Sequence, residues 1–263
     1  DGTSTFTDLT KFVGGSYIDI TKEAINCMEL PEMEHLDSSR KTEILDIFKN
    51  FIKNLYFIVV MGANSENHAT ILATQVKAII DIAVENFFSD PVIMSKYEAG
   101  KTDPSNIPTG HDDFMPFTRP DKIGLEYLGD TKEAFNLIEL RLKQFFSSTV
   151  GKAITSKSTV RPNNLLTVYA FTNVNNNEDA AILSLVGMTA ALRQSLRYPK
   201  SIFFIDEAPI LFKFPVISNL VGDLCANGAK AGISVILSAQ DPNSIVNSAG
   251  GSRIVQNMTV KLI

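Results

Sequence analysis

Apolar side chains at Ile44, Leu45, Phe48, Phe51, Ile52 and Leu55 recur three or four positions apart within residues 38–61. That spacing gathers them on one side of a helix. The stretch from His68 to Phe88 repeats the pattern with Leu72, Val76, Ile79, Ile80, Ala83, Val84 and Phe87, and predicts a second helix. Residues 89–129 break the period with Pro91, Pro104, Pro108, Pro116 and Pro120, and are expected to be mostly loop. A third helix is predicted after Asp130, which with Glu133 has the form of a capping box. Its buried stripe would be Phe135, Ile138, Leu142 and Phe145.

Beyond Pro162 the pattern changes. Short runs that are apolar throughout, at Leu165–Phe171, Ser201–Ile205, Ile233–Leu237 and Met258–Ile263, alternate with helical stretches. The helices are Glu178–Leu196 and one carrying Ile217, Leu220, Val221, Leu224 and Cys225. The asparagine run Asn173–Asn177 would form a loop and cap the first of them. Strands without polar alternation imply a parallel sheet covered on both faces. A further strand, Ser16–Ile20 after Gly14-Gly15, is expected to join the same sheet. The organisation predicted is an α/β core made of 1–30 and 161–263, with a mostly helical insertion at 31–160.

Composition narrows the class. With 44% apolar and 20% charged residues, the chain can build a core, which excludes a disordered tail or a disulfide miniprotein. Its 24 basic and 29 acidic residues leave a net charge of −5, so there is no whole-chain electrostatic footprint for nucleic acid, and only a local patch stays open. Cys27 and Cys225 form no CxxC; reduced thiols of a cytosolic protein are the expectation, a single disulfide the alternative. His35, His68 and His111 sit in polar contexts and are expected at the surface. The apolar runs are too short for a membrane span, and no signal peptide is visible. Both ends look like cuts through a fold, which suggests a piece of a longer chain.

The chemistry centres on Ser201-Ile-Phe-Phe-Ile-Asp-Glu-Ala208. An apolar strand ending in Asp-Glu is how a P-loop NTPase presents its Walker B carboxylates. Asp206 would bind Mg²⁺ or its water shell, and Glu207 would orient and deprotonate the attacking water. An acidic pair also ends strands as a helix cap or a solvated turn. The next strand, ending at Gln240, sharpens the reading, because in a parallel sheet the two tips lie side by side. A glutamine there can bond both a γ-phosphate oxygen and the attacking water; the competing role is a turn residue before Asp241-Pro242. A Walker A pattern is missing. Gly100-Lys101-Thr102 lacks its first glycine, since Ser95 stands there, and the residues that follow cannot begin a long helix. Gly151-Lys152 fails because Ala153 follows.

Taken in order, these stretches resemble the TraC/TrbE-like ATPases of conjugative type IV secretion systems, a branch of the HerA–FtsK P-loop superfamily. The resemblance runs through Asp1–Ile20, Ile25-Asn26, Arg141–Phe146 with Gly151, Ser201–Ala208, Gly228-Ala-Lys-Ala-Gly232 and Ser238-Ala-Gln240-Asp-Pro, then Ile245, Ser248 and Ile254–Asn257. It covers about half the chain. It implies a RecA-like parallel sheet flanked by helices, and ATP and Mg²⁺ as ligands, with nucleotide binding weak or lost in this chain. Asp206 would sit on the metal, Glu207 would be the base and Gln240 the sensor. It also implies a homo-hexamer in the intact protein, on the cytoplasmic face of a bacterial inner membrane. Other secretion components and a coupling ATPase would be its partners; direct nucleic-acid contact is left open. The family's arginine before the glutamine strand is replaced at Ala229-Lys230, so Arg253 and Arg161 become the candidates for an arginine finger. Two rival readings are a DNA-pumping HerA/FtsK-type motor and a non-catalytic docking or oligomerisation module.

Overall fold

The computed structural model describes residues 2–63, 70–124, 131–170 and 176–259. They form two compact units, one of 1–30 with 55–191 and one of 31–54 with 192–263. The division falls inside the long helix α2, Ser38–Met61, and inside α8, Asn177–Ser195.

The first unit opens with α1 (Gly2–Phe12) and β1 (Ser16–Asp19), continues with a run of helices, and returns in β2 (Thr167–Ala170). β1 pairs with β2 in parallel, Ser16 beside Thr167 and Asp19 beside Ala170, so the early strand does join the later half of the sequence. Helices α3 (Ile71–Ser89) and α6 (Thr131–Ser147) form as predicted and bury most of the expected stripes, but Leu72 is only half-buried and Phe146 is buried in place of Phe145. The capping-box residue Asp130 and His68 lie outside the described residues. Burial brings Tyr56, Phe87, Phe114 and Phe117 into one aromatic cluster, with Tyr56 stacked on Phe114 at 4.3 Å between ring centres.

The proline-rich segment is helical where loop was expected. It holds α4 (Pro91–Thr102), a 3₁₀ turn (Pro104–Asn106), a π turn (Gly110–Phe114), a second 3₁₀ turn (Met115–Thr118) and α5 (Pro120–Ile123). Pro91, Pro104, Pro116 and Pro120 each stand in the first turn of a helix, where the missing N–H has no helical partner to lose. Asp90 ends α3 and caps α4, accepting from the N–H groups of Val92 (2.8 Å) and Ile93 (3.1 Å). Gly100-Lys101-Thr102 closes α4, so it opens no phosphate loop. Between β1 and α2, the buried Asn26 accepts the Met28 N–H at 3.0 Å and donates to the Pro108 carbonyl at 2.8 Å. The short helix α7 (Thr149–Thr155) follows α6 closely.

The second unit is built on β3 (Ser201–Ile205) and β4 (Ile233–Leu237), which pair in parallel with Ser201 beside Ile233 and Ile205 beside Leu237. After β3 come α9 (Ala208–Phe212) and α10 (Pro215–Asn227); after β4 come α11 (Pro242–Val246) and α12 (Gly251–Asn257). Phe203, Ile205 and Ile233 are buried, and α10 contacts β4. Coverage on both faces does not hold for this pair: Ile202, Phe204 and Ile236 are 67%, 50% and 46% exposed. A run that is apolar throughout records what a strand could bury, and burial itself needs a second layer. The described strands therefore form two separate two-stranded parallel sheets. Of the last predicted strand, Met258 and Thr259 are irregular and 260–263 lie outside the described residues.

Candidate functional site

Parallel pairing of β3 with β4 sets the tips of the two strands beside each other. The ladder continues one step past the strand ends, with the Ser238 N–H on the Ile205 carbonyl at 3.0 Å and the Ala208 N–H on the Ser238 carbonyl at 2.9 Å. Asp206 and Glu207 leave one tip; Ser238 and Gln240 leave the other. The Gln240 side-chain amide donates to Glu207 Oε1 at 2.9 Å. The Ser238 hydroxyl donates to Asp206 Oδ1 at 2.7 Å and accepts the Glu207 backbone N–H at 3.3 Å.

Glu207 has φ 49° and ψ 45°, the one non-glycine residue with positive φ among those described. Were the strand to continue extended, Asp206 and Glu207 would point to opposite faces. The left-handed turn cancels that alternation, so both carboxylates are reached from one segment of the neighbouring tip. Ser238 and Gln240 are two positions apart, the spacing that keeps extended side chains on one side. Asp206 is exposed and Glu207 half-buried. The second oxygen of each carboxylate has no hydrogen-bond partner among the described residues.

Among the described residues no cluster of three or more His, Cys, Asp or Glu could hold a metal by itself. A single exposed carboxylate with one free oxygen does suit Mg²⁺, which keeps most of its waters and takes one or two carboxylates together with phosphate oxygens. The turn reading of the glutamine segment also has a basis: Asp241 caps α11 by accepting the Asn243 N–H at 3.0 Å. That turn starts one residue after Gln240 and leaves its side chain to Glu207.

The cationic candidates have other described partners. Arg253, on α12, is ion-paired with Asp223 on α10, and its described contacts do not include Asp206, Glu207 or Gln240. Helix α12 is seated by Ser218, whose hydroxyl accepts the Gly250 N–H at 2.8 Å and bonds Ser248 at 2.8 Å. Lys230 lies 3.5 Å from Glu43, and Arg161, in the first unit, bonds Glu29 at 2.9 Å. His35 and His111 are exposed, and neither Cys27 nor Cys225 is in a disulfide. Ser238 is part of the glutamine motif, and the residue pattern alone assigns it no role. The available signal was its place immediately after an apolar strand, in register with the residue after Ile205.

The architecture is that of a mixed, helix-rich α/β protein with short parallel strand pairs. It is similar to the solved structure of VirB4 of Thermoanaerobacter pseudethanolicus, with a TM-score of 0.61 and 14% identity. The match covers 96% of this chain and 65% of that one, so the chain spans about two thirds of its structural neighbour. No family model matches the sequence, and no curated protein matches it. Among the described residues no helix is long and apolar enough to cross a membrane.

Proposed function

We propose that the chain is part of the motor ATPase of a type IV secretion system, of the TraC/TrbE-like kind. The observation that carries this reading is the Gln240–Glu207 hydrogen bond at the tips of two parallel strands, with Asp206 beside it. The likeness in fold to VirB4 supports it. In the intact protein Asp206 would hold Mg²⁺, and the ion would offset charge on the phosphates. Glu207 accepts the proton of the attacking water. Gln240, already bonded to Glu207, orders that water and responds to the γ-phosphate. Assembly as a hexamer, with other secretion components at the inner membrane, belongs to the same reading.

The test is Mg-ATP hydrolysis by a protein extended upstream through a Walker A turn, with and without Glu207→Gln. The extended form is expected to hydrolyse ATP. The substitution should lower turnover by about 10²- to 10⁴-fold, the usual contribution of a general base, and leave nucleotide binding intact. An extended protein that neither binds nor hydrolyses nucleotide would sink the motor reading in favour of a docking module. Strong stimulation by DNA would move it to a DNA-pumping motor.

A further inference from the structure

We infer that Ser238 is a positioning residue: its hydroxyl clamps the Asp206–Glu207 pair into the arrangement in which each carboxylate keeps one oxygen without a hydrogen-bond partner among the described residues. This rests on the motor reading for its purpose, and on the strand tips alone for its geometry.

A serine hydroxyl has one proton to give and lone pairs to accept with. At this tip both capacities are spent on consecutive residues of the other strand. The proton goes to Asp206 Oδ1 at 2.7 Å, and a lone pair takes the Glu207 N–H at 3.3 Å. The first bond sets the rotation of the Asp206 carboxylate and so the direction of its second oxygen. The second bond acts on a backbone that would otherwise relax. A left-handed conformation is unfavourable for a residue with a side chain, and such residues persist where their surroundings over-determine them. Here the Glu207 N–H is held by the Ser238 hydroxyl and the Ala208 N–H by the Ser238 carbonyl, so a single residue fixes both sides of the turn. Released, Glu207 would tend back to an extended backbone, and its carboxylate would swing away from Gln240. A serine that merely ends a strand would satisfy its hydroxyl within its own segment. This one reaches across to both members of the acid pair.

The clamp is read directly by amide hydrogen exchange at single-residue resolution on the 263-residue chain, comparing wild type, Ser238→Ala and Ser238→Thr. In Ser238→Ala the Glu207 amide should exchange about tenfold faster, as expected for loss of one modest hydrogen bond. The Ala208 amide, which bonds the Ser238 main chain, should be unchanged, and Ser238→Thr should restore Glu207. Should the alanine variant lose protection throughout β4, Ser238→Cys takes its place with the same expectation, since a thiol is a weak donor and acceptor of similar size. In the hydrolysing, extended form, Ser238→Ala should lower kcat about tenfold with the nucleotide KM unchanged, and threonine should recover it. Unchanged Glu207 exchange, or unchanged kcat in an active enzyme, overturns the clamp while the motor reading stands. An extended wild type without nucleotide binding or hydrolysis overturns the motor reading, and the exchange result then decides Ser238 alone.

Discussion

Burial pushes the Cys225 thiol on α10 up to about 11. An unfolded chain ionises the same thiol from about 8.5, so in alkali the unfolded state binds fewer protons than the folded one. Stability from this group is therefore complete below pH about 8.5 and is lost as pH rises towards about 11. Urea midpoints measured across that window should fall less steeply in Cys225→Ala than in wild type, and alkylation of folded Cys225 should stay slow at pH 8. Equal slopes in the two proteins would show that the thiol does not titrate as described. In the first unit, burial likewise raises the Tyr56 phenol well above its ordinary value, and its hydroxyl turns to Met28. Asn26 shows what a sequence leaves unsaid at this scale. It was legible as one residue of a short resemblance, yet its partners Met28 and Pro108 include one 82 positions away.

At the scale of elements, proline was the misread signal. In sequence it marks a break, but in residues 89–124 it repeatedly marks the first turn after one, with Asp90 and Asp103 supplying the caps. The long periodic helices needed no such help, because their apolar faces repeat over many turns. Pairing of β3 with β4 depends on a tight entry at Gly232, which has φ 78° and whose carbonyl accepts the Ser201 N–H at 3.0 Å. A Cβ there would lie 2.0 Å from the Pro199 carbonyl oxygen. Gly232→Ala combines a strained backbone with a clash against main chain and should cost at least about 1–3 kcal/mol. Urea denaturation would register that as a lowered midpoint; a change below about 0.5 kcal/mol, ordinary for a surface site, would contradict the geometry.

For the molecule as a whole, the motor reading makes a demand that the chain alone does not meet. It contains no Gly-x₄-Gly-Lys-[Ser/Thr], the pattern that supplies a backbone nest and a lysine for the β and γ phosphates. The 263 residues by themselves should hydrolyse Mg-ATP very poorly or not at all, and robust turnover by them would mean that another site does the chemistry. What the sequence determined by itself was local: the long periodic helices, the apolar runs that form parallel strands, and which acids and amide end two of them. Periodicity and apolar runs report directly on those properties. Tertiary structure alone decided the rest. The strands split into two pairs, one of them with Ile202, Phe204 and Ile236 open on one face, because coverage depends on neighbouring layers and not on a strand's own composition. Arg253 was drawn to Asp223 by the packing of α12 on α10, and Ser238 met Asp206 and Glu207 because pairing register and a left-handed turn set those distances; none of this is written in residue type.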